Sequence, residues 1–600
     1  MNDNPTIEVG LKGQEVTNQI FLSPIENFPY IKEKTLFLSL EYYISTAISA
    51  FLWSYFTTSA GFKSYSFILK KKLDNTLAYL SKYRDFYDTQ WEYITVNKFY
   101  ILFYSIIFII ISKLIKKINI NLIKYFYIIS GLSFCFFFIR LRIFYLLFAC
   151  CIFYFTKYYI TFGESIFMTL CWAELFVVKY LINYIHNNFK IHESQSTFFN
   201  NSCDNFSYEF ILIYALLKML SFNIEYKKVY FNETVPESIF NINQAKSHCM
   251  ECYDGNFCSK CLENTVIGDR DKIDEYFSFT DFLSYVFYPP LLFSGPLINY
   301  NNFIFQLNIY KDSQHNILIK MNKILYLLKI IFLFILLEIY NHFLYPLFFC
   351  KNKEYIFEPN DDISLFYYCF ICLNVLTFLW LKYSVIWKFF RFCAWCDGIY
   401  TEENINRFIY NIYSLELLFR GTNRSLNRWL VRYIYIPLGG KNKKYVNIWV
   451  IFGFCYLYFD YKNIDYAIFS ICCCVLLDVE MFAKNCFINK FGEDFNEKIY
   501  LRYIKYIVCS FYIIILFGIA LFGFCLSFDN VKLIFDTIIE KGGYSYFILL
   551  SLLLLPNVIM MFFIRDMELE NSVTLHKTAR FRWCRCSEKE PRQPIRPRRY

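Results

Sequence analysis

Apolar residues arrive along this chain in long runs, and the polar residues gather between them. A helix that crosses lipid needs about 20 mostly apolar residues. Such runs extend from Thr35 to Thr58, Phe99 to Leu114, Leu122 to Ile139, Ile143 to Ile160 and Ile166 to Ile185. After a polar break they resume from Ile324 to Cys350, Ile363 to Ile386, Val446 to Tyr458, Tyr466 to Phe482, Tyr506 to Phe528 and Tyr544 to Ile564. The pattern predicts about eleven spans by that length criterion. Open strands would leave backbone groups unpaired in lipid. The predicted fold is therefore all-α, a polytopic transmembrane helical protein. One stretch departs from the pattern. Tyr288-Pro289-Pro290 interrupts an apolar piece, and Gly295-Pro296 follows at once. Proline removes a backbone donor and kinks a helix, so this stretch predicts a re-entrant or interfacial element. Non-helical backbone survives at membrane depth only where protein or a water-filled cavity shelters it. An internal cavity is expected.

The polar stretches set the domain organisation. Residues 1–34 form a polar N-terminal segment without a compact apolar core, so no cleavable signal peptide is expected and the first span would itself target the membrane. Residues 35–570 form the transmembrane domain, with a polar insert at 187–277 that is interrupted by the apolar piece Phe210–Phe222. Residues 571–600 form a tail rich in Arg and Pro, expected to be disordered or to lie on a lipid surface.

Composition adjusts this picture only slightly. The chain is 56% hydrophobic and 19% charged, below the roughly 25% charged share of soluble domains. Its heavy use of Phe, Tyr, Ile, Asn and Lys resembles A+T-rich coding, which lowers the value of any single aromatic as a signal. The net charge of +10 reads as basic residues flanking cytoplasmic ends of spans. No nucleic-acid-binding motif accompanies it, so a nucleic-acid partner is not expected. Most of the 23 cysteines sit in apolar runs, where Cys behaves as a small hydrophobe.

Three blocks carry candidate chemistry. The first runs from Tyr285 through Tyr288-Pro289-Pro290 to Ile298. The second runs from Trp387 to Gly398 and is followed by Glu402-Glu403-Asn404. The third runs from Phe419 to Gly440, through Arg420-Gly421-Thr422-Asn423-Arg424 and Asn427-Arg428-Trp429-Leu430-Val431-Arg432-Tyr433 to Pro437-Leu438-Gly439-Gly440. Arg420, Arg424, Arg428 and Arg432 recur every four residues, which puts neighbours on one helical face. Guanidinium groups between membrane helices are costly unless they meet a polar cavity or headgroups, and they bind phosphates well. A bland interfacial helix with snorkelling arginines fits the same spacing.

In this order and at these separations the blocks resemble the membrane-bound O-acyltransferase (MBOAT) family, in particular its glycerol-uptake-type branch related to hedgehog acyltransferase. The resemblance covers roughly residues 217–478. It implies transfer of a long acyl chain from acyl-CoA to a hydroxyl of a lipid, such as a glycosylphosphatidylinositol anchor or a glycerolipid, in the endoplasmic reticulum. Membrane lipids and acyl-CoA would be the partners, and no cofactor would be required. Asn423 matches the family's polar residue of the Arg-rich block. Arg420, Arg424, Arg428, Trp429, Arg432 and Tyr433 would form the acyl-CoA-binding face. Family members generally place a catalytic His in an apolar helix shortly afterwards. That position here is Phe459, with Asp460 keeping the register. Phenylalanine accepts no proton, and a positioned general base contributes about 10²–10⁴-fold. Three readings follow. Asp460 or another group serves as the base, or the chain is a lapsed family member that binds lipid as a regulator, or the site is rearranged with its base a few residues away. A polyol transporter, as the branch's name suggests, is a separate alternative.

Two further groups stand apart. His342 follows Glu338 by four residues in an apolar helix, on the same face; either the pair is functional, or His342 marks a helix end before Pro346. His186, His192, His248, His315 and His576 lie in or beside polar segments or in the tail. Cys249, Cys252, Cys258 and Cys261 form two closely spaced CxxC pairs, open to a structural zinc site, two disulfides or free thiols.

Overall fold

The fold comes from a computed structural model, which describes residues 74–77, 82–85, 87–188, 201–231, 273–309, 323–351, 365–405, 408–491, 499–524 and 528–578. The expected span from Thr35 to Thr58, the four-cysteine cluster, His192, His248 and His315 lie outside them.

Helices dominate, as expected, with one small addition, a two-stranded antiparallel hairpin of β1 (Asp74–Leu77) and β2 (Lys82–Arg84). The first half continues with α1 (Thr89–Val96), α2 (Lys98–Ile118), α3 (Ile123–Ile139), α4 (Ile143–Thr156), α5 (Glu164–Asn188) and α6 (Asn201–Tyr230). Next come α7 (Ile273–Tyr276), α8 (Phe279–Val286), α9 (Tyr300–Ile309), α10 (Lys323–Phe343), α11 (Pro346–Lys351) and α12 (Leu365–Asp397). The rest is α13 (Leu415–Thr422), α14 (Arg424–Leu430), α15 (Lys444–Asp460), α16 (Ile464–Phe491), α17 (Ile499–Phe524) and α18 (Phe528–Thr578).

Among the described residues, seven stretches are long and apolar enough to cross a membrane. They include α2, α10 and most of α5, α16 and α17. The runs at Leu122–Ile139 and Ile143–Ile160 fall within one 43-residue stretch, Ile120–Phe162, which bends at Arg140, where φ is 48°. The last stretch, Gly542–Phe563, lies in α18, whose helical path breaks at Gly543 (φ 65°). The expected run Val446–Tyr458 lies on α15, a helix of 17 residues, short for a span. The tail expected to start at 571 is still helical as far as Thr578.

The apolar piece Phe210–Phe222 lies within a buried helix. Part of the polar insert at 187–277 is α6, and every residue from 215 to 227 is buried. A helix enclosed on all sides is a core element. Two of its charges are paired: Glu225 with Arg432 at 2.7 Å in the interior, and Lys227 with the half-exposed Glu164 at 2.7 Å. Lys218 is fully buried and its Nζ reaches the Tyr285 carbonyl at 3.5 Å. Pairing helps so polar a sequence to sit there.

The Tyr288-Pro289-Pro290 stretch forms a buried 3₁₀ turn packed into the core. Helix α3 approaches it so closely that a Cβ on Gly131 would sit 1.8 Å from the Phe287 carbonyl oxygen. Only glycine allows that approach. Asp397, at the end of α12, ties the region together. Its carboxylate accepts from Tyr127 Oη at 2.6 Å, Tyr288 Oη at 2.7 Å and Lys116 Nζ at 2.9 Å, and also from Ser112. One buried carboxylate with four donors thus joins α2, α3, α12 and the proline turn, which accounts for Asp397 in the second block.

Candidate active site in the arginine-rich block

The third block is not one helix. Ser414 caps α13, its Oγ accepting from Leu417 N at 3.2 Å. The helix stops at Asn423, where φ is −142° and ψ 70°. Helix α14 follows, then a π-helical turn, Val431–Tyr435. The break is held from outside by Asn404. Arg424 N donates to its carbonyl and Ser425 N to its Oδ1, each at 3.1 Å. Ser425 Oγ in turn accepts from Leu297 N at 2.9 Å.

Because of the break and the π turn, the four arginines do not line one face. Arg420 Nη2 meets Glu416 Oε1 at 3.1 Å. Arg424 and Arg428 both reach Glu402 Oε2, each at 2.8 Å. Arg432 Nε meets Glu225 Oε1 at 2.7 Å, and Tyr433 Oη donates to the same oxygen at 2.8 Å. Trp429 is 1% exposed and packs on Trp172 and Phe454. The second half of the expected acyl-CoA face therefore points into protein. The Glu402 loop is itself anchored. Burial would raise the Glu403 carboxyl, but Lys388 at 3.0 Å and Arg391 at 3.5 Å hold it below its ordinary range.

The first half of the block opens on a cavity of about 1030 Å³. Asn423, Arg420, Phe459 and Asp460 all line it. The Asn423 side chain hydrogen-bonds the Tyr214 phenol from α6, and Tyr214 lines the cavity too. Asn423 Oδ1 is buried without a hydrogen-bond partner among the described residues. Such an acceptor has unspent capacity for a donor that enters the site. Helix α15 offers the cavity Ile448, Phe452, Cys455 and Phe459, spaced by three or four residues as one helical face requires. Its other face carries Phe454 and Tyr458, and Tyr458 Oη donates to the Ile213 carbonyl at 2.7 Å. Phe459 and Asn423 thus line the same space, and Phe459 brings an apolar ring where a base is expected. Asp460 is exposed at the rim. His342 is not among the lining residues; its Nδ1 bonds the Glu338 carbonyl at 2.8 Å, and Glu338 is taken up by Arg84 at 3.0 Å.

The walls are mostly apolar, with Leu376, Leu379, Trp380 and Trp387 from α12 facing Leu426 and Leu430. The cavity follows α15 from Lys444 to Asp460, a length of about 25 Å at 1.5 Å per residue. That approaches the roughly 30 Å of a bilayer's hydrocarbon core. Neither Tyr214 nor Lys444 and Lys484, which also line the cavity, was singled out from sequence, and nothing in their local context marks them. Glu225 did carry a signal: an acid beside an apolar run is an interior group by default. Among the described residues no cluster of metal-binding side chains occurs.

The membrane-bound O-acyltransferase family model matches residues 148–522. The chain is 29% identical over 365 residues to membrane-bound O-acyltransferase GUP1 of Saccharomyces cerevisiae, covering 60% of each chain. It is 30% identical over 329 residues to membrane-bound O-acyltransferase gup1 of Schizosaccharomyces pombe, covering 52% of this chain and 54% of that one. Protein-cysteine N-palmitoyltransferase HHAT of Mus musculus is 27% identical over 161 residues, covering 26% of this chain and 30% of its own. The matches thus span no more than 60% of the length of these curated relatives.

Proposed function

We propose, for a chain that belongs to the membrane-bound O-acyltransferase family, that it moves a long acyl chain from acyl-CoA to a hydroxyl of a lipid, such as a glycosylphosphatidylinositol anchor or a glycerolipid, in the endoplasmic reticulum. The observation that carries this reading is the shared cavity. A buried amide acceptor on Asn423 and the Phe459 face of α15 border one largely apolar space of about 1030 Å³, at the upper end of the range for small-molecule pockets. The acyl chain lies along the apolar walls. The acceptor oxygen attacks the thioester carbonyl carbon, the new C–O bond replaces the C–S bond, and the proton leaves with the CoA thiol. Asn423 orients the reacting groups by hydrogen bonding. Asp460, on the rim, is the lining carboxylate nearest in sequence to the position of the missing base.

Purified protein given labelled palmitoyl-CoA and candidate lipid acceptors tests this. Transfer to a lipid hydroxyl is expected. Absence of transfer, under conditions where a relative that keeps its His is active, overturns it.

Phe459 favours a second reading, a lipid-binding member that has lost turnover. Under that reading the protein still binds an acyl-CoA but transfers nothing, and Phe459→His brings transfer.

A further inference from the structure

We propose that Lys444 and Lys484 hold the phosphate groups of the acyl donor at one mouth of the cavity, in place of the arginine row. This rests on the donor reading above and changes which residues carry it.

A cation already neutralised by a carboxylate at contact distance has little left to offer a phosphate. Arg424, Arg428 and Arg432 are met by Glu402 and Glu225 at 2.7–2.8 Å, and none of the three lines the cavity. Lys444 and Lys484 do line it. Neither makes an ion pair among the described residues. Lys444 is half-buried, its Nζ 4.9 Å from the Tyr445 ring centroid, and Lys484 is exposed. The mouth is braced, because Asn485 Nδ2 donates to Tyr445 Oη at 3.1 Å and joins the start of α15 to the end of α16.

The two ends of the cavity differ in charge. Toward Lys444 the lining holds Lys444, Lys484 and Arg420 against Glu416 and Glu480. Glu416 is engaged by Arg420, and Glu480 accepts from Tyr512 Oη at 3.1 Å. Toward Asp460 the lining holds Asp460 and Asn463, with no lysine or arginine. A polyanion with an apolar tail is drawn to the first end, its phosphates on the ammonium groups and its chain along the walls. An anionic lipid headgroup shares the phosphate chemistry, so the test separates the two sources.

The probe is S-hexadecyl coenzyme A, a thioether that binds without transferring. Its affinity is measured on full-length protein in phosphatidylcholine nanodiscs, with and without phosphatidylserine. Lys444→Gln/Lys484→Gln is expected to weaken binding about tenfold or more and to flatten its dependence on salt. Lys444→Arg/Lys484→Arg is expected to restore most of it, and Lys117→Gln/Lys462→Gln, an equal charge change outside the lining, to leave it unchanged. Equal affinity of wild type and the Gln variant overturns the assignment. So does a variant effect confined to phosphatidylserine recruitment, which gives the lysines to lipid headgroups. If wild type does not bind the thioether at all, the donor reading itself fails, and this assignment with it.

Discussion

The arginine-rich block contains two neighbouring regions of similar composition and opposite use. From Arg424 onward its arginines close on partners: Glu402 takes two guanidinium groups, and Glu225 takes Arg432 and the Tyr433 hydroxyl. At Asn423 and before it, the side chains border a cavity and one acceptor is left open. The break in the helix at Asn423 separates Arg420 from the paired arginines, while Leu426, Asn427, Leu430 and Tyr435 beyond it still contribute to the cavity wall. Charge in a membrane protein is a functional candidate by default, but the default is decided by the partner. An arginine paired in-house builds the wall, whereas an unsatisfied amide beside empty space is poised for a ligand.

The largest expected effect comes from attacking the closed region. Glu225 is fully buried, and the Arg432 side chain is 19% exposed. Glu225→Gln leaves that guanidinium without a counter-charge, and breaking a buried pair costs about 3–5 kcal/mol. Thermal unfolding in detergent should show a marked fall in Tm. An unchanged Tm would mean the pair does not hold α6 to the block. Glu402→Gln comes next. Its arginines are 28–30% exposed, so solvent screens much of the interaction and the loss should be about 1 kcal/mol. Its sharper consequence is geometric. The Glu402–Asn404 loop fixes the start of α14, so probe binding in the cavity should weaken even where Tm barely moves. Full binding in Glu402→Gln would sever the two regions functionally.

The same contrast governs what could be read in the sequence. Spans such as α2 and α10 announce themselves by apolar length, because lipid exposure imposes no finer pattern. The proline turn and its sheltered position were legible from Tyr288-Pro289-Pro290. Helix α6 was legible only in part. Lys218, Asn223 and Glu225 made its stretch look polar, and the partner that reconciles Glu225 with burial lies 207 residues away. The arginine spacing was legible but its meaning was not, since a break at Asn423 and a π turn separate Arg420 and Arg432 from the Arg424 and Arg428 pair on Glu402. A cavity was expected from the proline-broken stretch, and Asn423 and Phe459 on its wall were named, but most of its apolar wall was not legible. Its lining Leu, Ile and Phe are the same residue types that face lipid elsewhere.

Phe459→His tests the open region directly. The ring is half-buried and borders empty space, so the stability change should stay within about 1 kcal/mol. Acyl transfer is the informative readout. A base placed correctly is worth about 10²–10⁴-fold, so a gain of that order from a low starting rate would mark a site that lost only its base. No gain, with thioether binding intact, would mean that the surrounding geometry has also moved.

The smallest stability change is expected at Asn423, and there it is most diagnostic. Its backbone conformation, φ −142° and ψ 70°, is open to any L residue, so substitution adds no strain. Asn423→Leu removes the hydrogen bond to Tyr214, worth about 0.5–1.5 kcal/mol, but also removes a buried acceptor whose lack of a partner costs about 1–3 kcal/mol. The terms oppose each other, and Tm should move little or rise slightly. A residue that only supports the fold would not behave this way. Binding of the thioether probe or acyl transfer should nonetheless fall, because the side chain that receives the ligand's donor is gone. A large fall in Tm without a change in binding would place Asn423 with the closed region and leave the cavity without its polar centre.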